Sequence, residues 1–201
     1  MDAEQRDSVL REVLGELADQ GYEEMSVDRA CAKAGVDLAD WAREFGSKDE
    51  CLFAAYDRLT DRVVERASAS CARDEPWPER VRVGLEALLE EMAAQPRMAR
   101  AITRAFPGIR PSTYERYVAL LGRFVPFMHE GREYSEVDEE LPGEVELLAV
   151  GAAEAIIFNE IEAGRASRLP KMMPEILFSV LVPFLGPERA ADEMRSAAAA
   201  T

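Results

Sequence analysis

The chain has 201 residues, with 39 acidic against 24 basic side chains, a formal net charge of -15 and a sequence pI of about 4.6. Hydrophobic residues make up 48% and charged residues 31%, which excludes a largely disordered protein. The acidic balance argues against a broad nucleic-acid-binding surface, because such binding depends on Lys and Arg beside phosphates, so any basic surface must be local.

The first two predicted helices are bounded by glycines. The first helix ends at Gly21, because glycine readily takes the left-handed conformation that closes many helices. A second, short helix begins after Ser26, a favoured N-cap, and runs to Ala34 before Gly35. The apolar stripe of the first helix consists of Leu10, Val13, Leu14 and Leu17.

A third predicted helix covers residues 38–45. Asp37 is its N-cap, and Asp40 follows three residues later as a carboxylate variant of the capping box. Trp41 and Phe45 lie one turn apart and are expected to lock this helix onto the first two. Three helices within 45 residues indicate a small helical domain.

The rest of the chain predicts further helices separated by prolines. One long helix runs from Ser47 to about Ala72 and connects two regions. Pro126 and Pro183 fall inside apolar patterns and should kink or shorten their helices, the acidic stretch 130–140 predicts a surface loop, and the Ala-rich tail should fray. No run alternates long enough to form a strand, so an all-α fold is predicted. The later helices are expected at 77–94, 97–106, 111–130, 142–164 and 171–185.

Several classes of protein are excluded by residues the chain lacks. Cys31, Cys51 and Cys71 lie twenty residues apart without a CxxC pair, so neither a disulfide framework nor a zinc site is expected. The first ten residues do not resemble a signal peptide, and the apolar stretch 147–158 is shorter than the roughly 20 residues of a membrane span. These observations predict a cytoplasmic protein with no membrane partner.

The side chains needed for most enzyme mechanisms are also missing. His129 is the only histidine, and the chain has no nucleophile elbow, P-loop or dinucleotide fingerprint. A di-iron bundle needs two Glu-x-x-His pairs, and here Pro126 occupies the place of the glutamate. We therefore expect no enzyme, no cofactor and no metal, and an enzyme that uses carboxylates alone stays open as an alternative.

The pattern that a helix-turn-helix needs lies in residues 27–36. The small residues Ala30 and Ala34 permit a close helix crossing, Gly35 forms the turn, and Val36 fills the space beneath it. The helix over 38–45 would then be the recognition helix. Turns of this kind also join ordinary helix pairs, so the pattern needs its wider context.

That context is given by three segments: GYEEMSVDRACAKAGV, WAREF and GSKDECLFAAYD. Together they resemble the N-terminal domain of the tetracycline-repressor (TetR) family of transcriptional regulators, in detail over about residues 8–57. The ending PEILFSVLVPFLGPERA resembles one branch of the same family. The resemblance implies a helix-turn-helix domain at 1–46 and a helical ligand-binding and dimerisation domain at 47–201. It implies a homodimer that binds a duplex operator through successive major grooves and acts as a ligand-responsive repressor.

The sequence departs from the family pattern where DNA would be touched. The family usually has Ser or Thr at Asp37, a small or hydroxyl residue at Asp40, Tyr at Ala42 and His at Glu44. Residues 1–57 carry fifteen acidic and six basic residues. A second interpretation is therefore a dimeric small-molecule or protein-binding module of the same fold that has lost normal operator binding.

The candidate DNA contacts lie on the second and third helices and at the start of the fourth. Arg29 and Lys33 share one helix face and would meet phosphates, although they could simply be solvated. Asp40 or Glu44 could accept a hydrogen bond from cytosine N4 and so read sequence. The expected contacts are Ser26, Arg29, Lys33, Asp37, Leu38, Ala39, Asp40, Arg43 and Lys48.

The later helices carry the candidate ligand site. Adaptable Met side chains and two Tyr hydroxyls near Pro126 favour a pocket for an elongated apolar ligand, although an apolar stripe is also what a core requires. Glu154 and Asn159 interrupt the apolar run over 147–161 and are either polar anchors or edge residues. The predicted ligand-binding residues are Met92, Met98, Ile102, Phe106, Tyr114, Tyr117, Leu121, Phe124, Met128, Glu154 and Phe158.

The helix over 142–164 is apolar nearly all round, which indicates burial on two sides. One side would face its own domain, and the other would pack on a partner subunit through small residues that permit close approach. The predicted dimer interface consists of Leu147, Gly151, Ala152, Ala155, Leu177, Phe178, Leu181 and Phe184.

Overall fold

The computed structural model describes residues 1–70, 74–104, 111–135 and 141–200. Within these ranges the side chains at 67, 70, 104, 111–114, 116, 117 and 200 are not described. The described residues form helices and connecting turns without a strand, which confirms the all-α prediction.

The N-terminal helices are α1 (Ala3–Glu24), α2 (Val27–Ala34) and α3 (Leu38–Phe45). Asp2 and Gln5 form a reciprocal capping box at the start of α1. Gly21 leaves the helical path with φ 76°, in agreement with the predicted end of the first helix. The bounds of α2 and α3 match the predicted ones.

The other helices of the described chain are α4 (Lys48–Ser70), α5 (Trp77–Ala94), α6 (Pro96–Arg104), α7 (Pro111–Gly122), α8 (Val145–Glu162) and α9 (Met173–Ala200). The helix predicted over 111–130 is too long. It ends at Gly122, and 3₁₀ turns follow at Val125–Phe127 and His129–Tyr134. Pro126 has no N–H to continue an α-helix, which explains the change. The prediction of a loop over 130–140 is therefore wrong for residues 130–134, which lie in the second 3₁₀ turn. Residues 136–140 lie outside the described part of the chain.

The C-terminal helix is longer than predicted. Pro183 stays inside α9, and Gly186 breaks the path with φ 74°. The helix then continues from Pro187, a residue suited to the first helical turn. Ala190 and Ala197 are buried, so packing orders a tail that the sequence predicts to fray.

Two compact units divide the chain: residues 1–62 with 97–113, and residues 63–96 with 114–201. The part of α4 up to Arg62 and α6 from Arg97 onward therefore belong with α1–α3, whereas the predicted boundary falls at residue 46. Buried residues at the centre of the first unit are Val9, Leu10, Val13, Leu17, Cys51 and Ala55. Those of the second are Trp77, Leu89, Ile161, Leu169, Ile176, Leu177, Leu181 and Phe184.

In the described chain, one helical stretch, Ala166–Ala199, is long and apolar enough by composition to cross a membrane. A core helix of a soluble protein passes the same test. This stretch supplies Leu177, Leu181 and Phe184 to the core of the second unit, where α9 packs against α5 and α8.

Candidate nucleic-acid interface

The turn between α2 and α3 has the geometry that a helix-turn-helix requires. Gly35 takes the left-handed conformation at φ 67°, and its N–H bonds back to carbonyls at the end of α2. The N–H of Val36 donates to the Cys31 carbonyl at 3.0 Å, and the Val36 side chain is buried beneath the turn. Ala30 is fully buried where α2 packs on α1. The chain therefore contains the predicted helix-turn-helix.

Asp37 caps α3 as predicted, since its carboxylate accepts the backbone N–H of Ala39 at 2.7 Å. The predicted role of Asp40 in a capping box is wrong. Asp40 instead forms an ion pair with Arg43, one turn further along the same helix. This pair lies on the exposed side of α3.

The two faces of α3 are clearly separated. Phe45 is buried and Trp41 half-buried, with their ring centroids 6.2 Å apart, so this face holds α3 on the unit as predicted. The opposite face is exposed, and Leu38 on it is a large apolar side chain with 45% of its surface accessible. The exposed residues of α3 are Leu38, Ala39, Ala42, Arg43 and Glu44.

A buried carboxylate on α1 binds both cations of α2. The side chain of Glu16 is only 5% exposed. Its Oε2 accepts from Nε of Arg29 at 2.8 Å, and its Oε1 accepts from Nζ of Lys33 at 2.8 Å. Burial favours a raised pKa for Glu16, but the hydrogen bonds from Lys33 and Arg29 outweigh it and the pKa is lowered. Glu16 is therefore charged at neutral pH.

The remaining predicted cations are also engaged within the first unit. Lys48 donates to the Tyr22 carbonyl at 2.6 Å, and its ammonium lies 4.5 Å from the centre of the Tyr22 ring. Arg43 pairs with Asp40. Each cation predicted to meet DNA thus has a partner in its own chain, and binding a phosphate means sharing or leaving that partner.

The described cysteines are buried free thiols. Desolvation raises the pKa of Cys51 to about 11 and raises that of Cys31 as well. Both are therefore protonated and unreactive at neutral pH, whereas Cys71 lies outside the described residues. The described residues contain no group of three or more His, Cys, Asp or Glu suited to a metal ion.

The predicted ligand residues are divided between the two units. Met98 and Ile102 are half-buried on α6 in the first unit. In the second unit Met128 is buried, and the half-buried members are Met92, Leu121, Phe124, Glu154 and Phe158. Phe106 and the side chains of Tyr114 and Tyr117 lie outside the described part of the chain, and Asn159 is exposed. The ligand site stays a prediction.

The residues predicted for the dimer interface fall into two groups. Leu177, Leu181 and Phe184 are buried within a single chain, and Phe184 contacts the Trp77 ring edge-on at 5.2 Å. Assigning these three to a subunit interface is wrong, because they have almost no surface left for a partner. The members with accessible surface are Leu147, Gly151, Ala152, Ala155 and Phe178.

Sequence reasoning missed two residues. Leu148, next to the predicted Leu147, is the large apolar side chain of α8 that is 65% exposed. Glu16 was counted only as part of the acidic balance, although it binds two of the predicted DNA contacts. The spacing of Glu16 within the apolar stripe of α1 was an available signal, since charged side chains seldom occur there without a partner.

No protein-family model matches the chain, and no curated protein matches it. Two solved structures are similar. A TetR-like transcriptional regulator from Rhodococcus sp. RHA1 shares 20% identity at a TM-score of 0.70, covering 90% of this chain and 98% of that one. A TetR-family regulator from Streptomyces coelicolor A3 shares 16% identity at a TM-score of 0.47, covering 98% of this chain and 94% of that one. The likeness to the Rhodococcus structure, together with the helix-turn-helix, shows that this chain has the fold of TetR-like transcriptional regulators.

Proposed function

We propose that the chain is a ligand-responsive transcriptional regulator of the TetR type that acts in the cytoplasm as an operator-binding repressor. The observation that carries this proposal is the helix-turn-helix with an exposed α3 face, in a chain that shares its fold along 90% of its length with a TetR-like regulator.

The exposed side of α3 suits the major groove. Leu38 and Ala39 stand at its N-terminal end, where apolar contact with a thymine methyl reads sequence. If Arg43 leaves its ion pair with Asp40, its guanidinium can donate hydrogen bonds to the edge of a guanine. Alternatively, the Asp40 carboxylate accepts a hydrogen bond from the N4 amino group of a cytosine. Ser26, Asp37 and the cations of α2 and α4 complete the proposed contacts with the sugar-phosphate backbone.

The test is a binding-site selection from random duplex DNA at low salt, followed by fluorescence anisotropy of selected and random duplexes. We expect a selected duplex to bind more tightly than random sequence, with the difference kept towards physiological salt, because base contacts depend less on salt than phosphate contacts. Replacing Asp40 with Thr frees Arg43 and should alter the selected sequence. A selection that never enriches a sequence contradicts operator binding.

The second interpretation, a binding module of the same fold without normal operator binding, is favoured by one observation. Arg29, Lys33, Arg43 and Lys48 are all bonded to groups of their own chain, in a unit with an excess of acidic residues. The same selection decides between the two functions, because this module enriches no sequence at any salt concentration.

We also propose a homodimer formed through the accessible side of α8. Leu148, Ala152 and Ala155 follow one another at helical spacing on that helix and have accessible apolar surface. Among the described residues, no atom outside the backbone of α8 lies within 4 Å of the place of the missing Cβ of Gly151, so another helix can approach closely. The same side of α8 in a second copy could then pack against this strip of small residues and Leu148.

Replacing Ala155 with Arg should convert the dimer to a monomer at micromolar concentration, because the substitution buries an unpaired charge in the interface. Sedimentation velocity of the two proteins measures the change. Glu162→Arg, at an exposed position near the end of α8, is the control for an added cation on the same helix. A wild-type protein that sediments as a monomer contradicts the dimer.

The proposed ligand is an elongated apolar molecule bound by residues of the second unit. Support comes from the half-buried state of Met92, Phe124 and Phe158 in that unit, which leaves apolar surface accessible. A ligand that binds only the folded protein raises its melting temperature by mass action. A thermal-shift screen of apolar compounds tests the proposal, and a set in which no compound raises the melting temperature contradicts it.

A further inference from the structure

Glu16, Arg29 and Lys33 form a cluster of ion pairs on one side of the helix-turn-helix. Both carboxylate oxygens are used, one by the Arg29 guanidinium and one by the Lys33 ammonium, each at 2.8 Å. The guanidinium also donates to the Glu24 carbonyl at 2.9 Å. These contacts direct both cations of α2 towards α1.

The two cations remain accessible while they are held. Their side chains are 53% and 50% exposed, whereas the carboxylate between them is 5% exposed. A DNA phosphate can therefore approach either cation from the solvent side. Moving a cation fully onto that phosphate removes a hydrogen-bond donor from a buried charge, which is strongly unfavourable.

We propose that Glu16 competes internally with DNA phosphates for Arg29 and Lys33, and so lowers the affinity of the helix-turn-helix for DNA of any sequence. The inference rests on the proposed function. Phosphate contacts carry no sequence information, and both ionic partners of Glu16 lie on α2 rather than on the exposed side of α3. Because operator and random complexes share these phosphate contacts, the competition lowers both affinities by a similar factor, and Glu16 sets the strength of phosphate binding rather than the choice of sequence.

A purely structural role for Glu16 leads to the opposite result. If the carboxylate served only to fasten α2 onto α1, its loss would loosen the helix-turn-helix and weaken every DNA complex. If it competes with phosphates, its loss releases two cations and strengthens binding to random DNA. The direction of the change therefore separates the two roles.

The experiment uses the full chain and its Glu16→Gln variant with a random duplex, measured by fluorescence anisotropy across a range of salt concentrations. Each cation that gains a phosphate steepens the slope of log K against log salt by about 0.9, so we expect the slope to steepen by up to about 2. Affinity at the lowest salt should rise at least several-fold. Glu4→Gln removes the same charge from an exposed position on α1 and controls for the change in net charge.

Two further variants complete the design. Glu16→Gln combined with Arg29→Gln and Lys33→Gln should return the slope to the wild-type value or below, because the released cations are gone. Glu16→Asp keeps the charge but shortens its reach, and should give an intermediate slope. The aspartate variant decides the question if circular dichroism shows that the glutamine variant does not fold.

The outcomes for this inference and for the proposed function are distinct. A steeper slope for Glu16→Gln supports internal competition even if no operator is ever selected, a result that removes only the proposed function. An unchanged slope, or weaker binding, overturns internal competition even if an operator is selected. Failure of all variants to bind random duplex at the lowest salt also overturns it, because released cations must bind phosphates.

Discussion

Replacing Gly131 with Ala should destabilise the second unit by about 3 kcal/mol, near the upper end of typical overpacking costs. An added Cβ would lie 2.6 Å from two atoms of the Trp77 ring and 2.8 Å from Cδ1 of Phe184. Both rings are 1% exposed, so neither can move aside into solvent. The Trp77 ring is also held by its N–H, which donates to the Phe127 carbonyl at 2.9 Å.

Urea unfolding followed by tryptophan fluorescence and circular dichroism measures this effect. Gly122→Ala is the matched control, because in the described part of the chain no atom outside its own helix backbone lies within 4 Å of the position of its added Cβ. The control should not destabilise the protein, and should stabilise it by up to about 1 kcal/mol because alanine favours the helical conformation over glycine. If the free energy of unfolding of Gly131→Ala lies within that margin of the wild-type value, the assigned close contact between Gly131 and the two rings is contradicted.

The helix-turn-helix could be predicted because its signals are local. Ser26 and Asp37 begin their helices through contacts within three residues, and Gly35 closes the turn through its own backbone. Phe45 is buried through a helical period that is visible in the sequence. No knowledge of distant residues is needed for any of these steps.

The second unit was less predictable, because its boundaries depend on tertiary packing. Pro126 signals a disturbance of a helix, but the sequence does not show that Pro126 lies in one 3₁₀ turn and that a second 3₁₀ turn follows. The Ala-rich tail has no apolar stripe of large residues, yet Ala190 and Ala197 are buried in the structure. Small side chains report burial poorly because they suit a core and a surface equally well.

The sequence predicts where the candidate DNA-binding site lies, but it does not predict which charged side chains there form ion pairs with one another. The partners of Glu16 lie 13 and 17 residues away, a separation that no helical period links. A charge count treats Glu16 as repulsive to DNA, whereas the structure shows a buried carboxylate paired with two half-exposed cations. Likewise, α8 is apolar nearly all round, so its sequence does not reveal that Leu148 is exposed to solvent. The sequence of α9 does not reveal that Leu177 is buried in the core of its own chain.

The second large loss of folding stability is expected on replacing Glu146, in the first turn of α8. Its side chain is 3% exposed, and its oxygens accept from Nε of Arg132 at 2.5 Å and from a terminal nitrogen at 2.9 Å. Hydrogen bonding to Arg132 is the main reason that the pKa of Glu146 falls to about 2, against the opposing effect of burial. Arg132 also donates to the carbonyls of Leu141, Pro142 and Gly143 just before α8.

Glu146 therefore stabilises the fold only while it is charged. Its pKa is depressed in the folded state, so its contribution is complete above the ordinary value of 4.5 and is lost as the pH falls towards about 2. A depression of this size corresponds to about 3 kcal/mol. We expect the stability difference between the wild type and Glu146→Gln to be largest at neutral pH and to shrink steadily between about pH 4.5 and 2.

Arg132→Ala tests the same pair from the other side, and should cost about 3–5 kcal/mol at neutral pH because it leaves a buried carboxylate without its main partner. Burial then raises the pKa of Glu146, so the variant should regain part of its lost stability as the pH falls and the carboxyl group is protonated. Urea unfolding at a series of pH values measures both trends.

The exposed Glu175→Gln on α9 is the control for the loss of one acidic group in the same unit, and should change stability by less than about 0.5 kcal/mol. A pH-independent difference between the wild type and Glu146→Gln contradicts the assigned role of the pair, because only a group that titrates differently in the folded and unfolded states makes stability depend on pH.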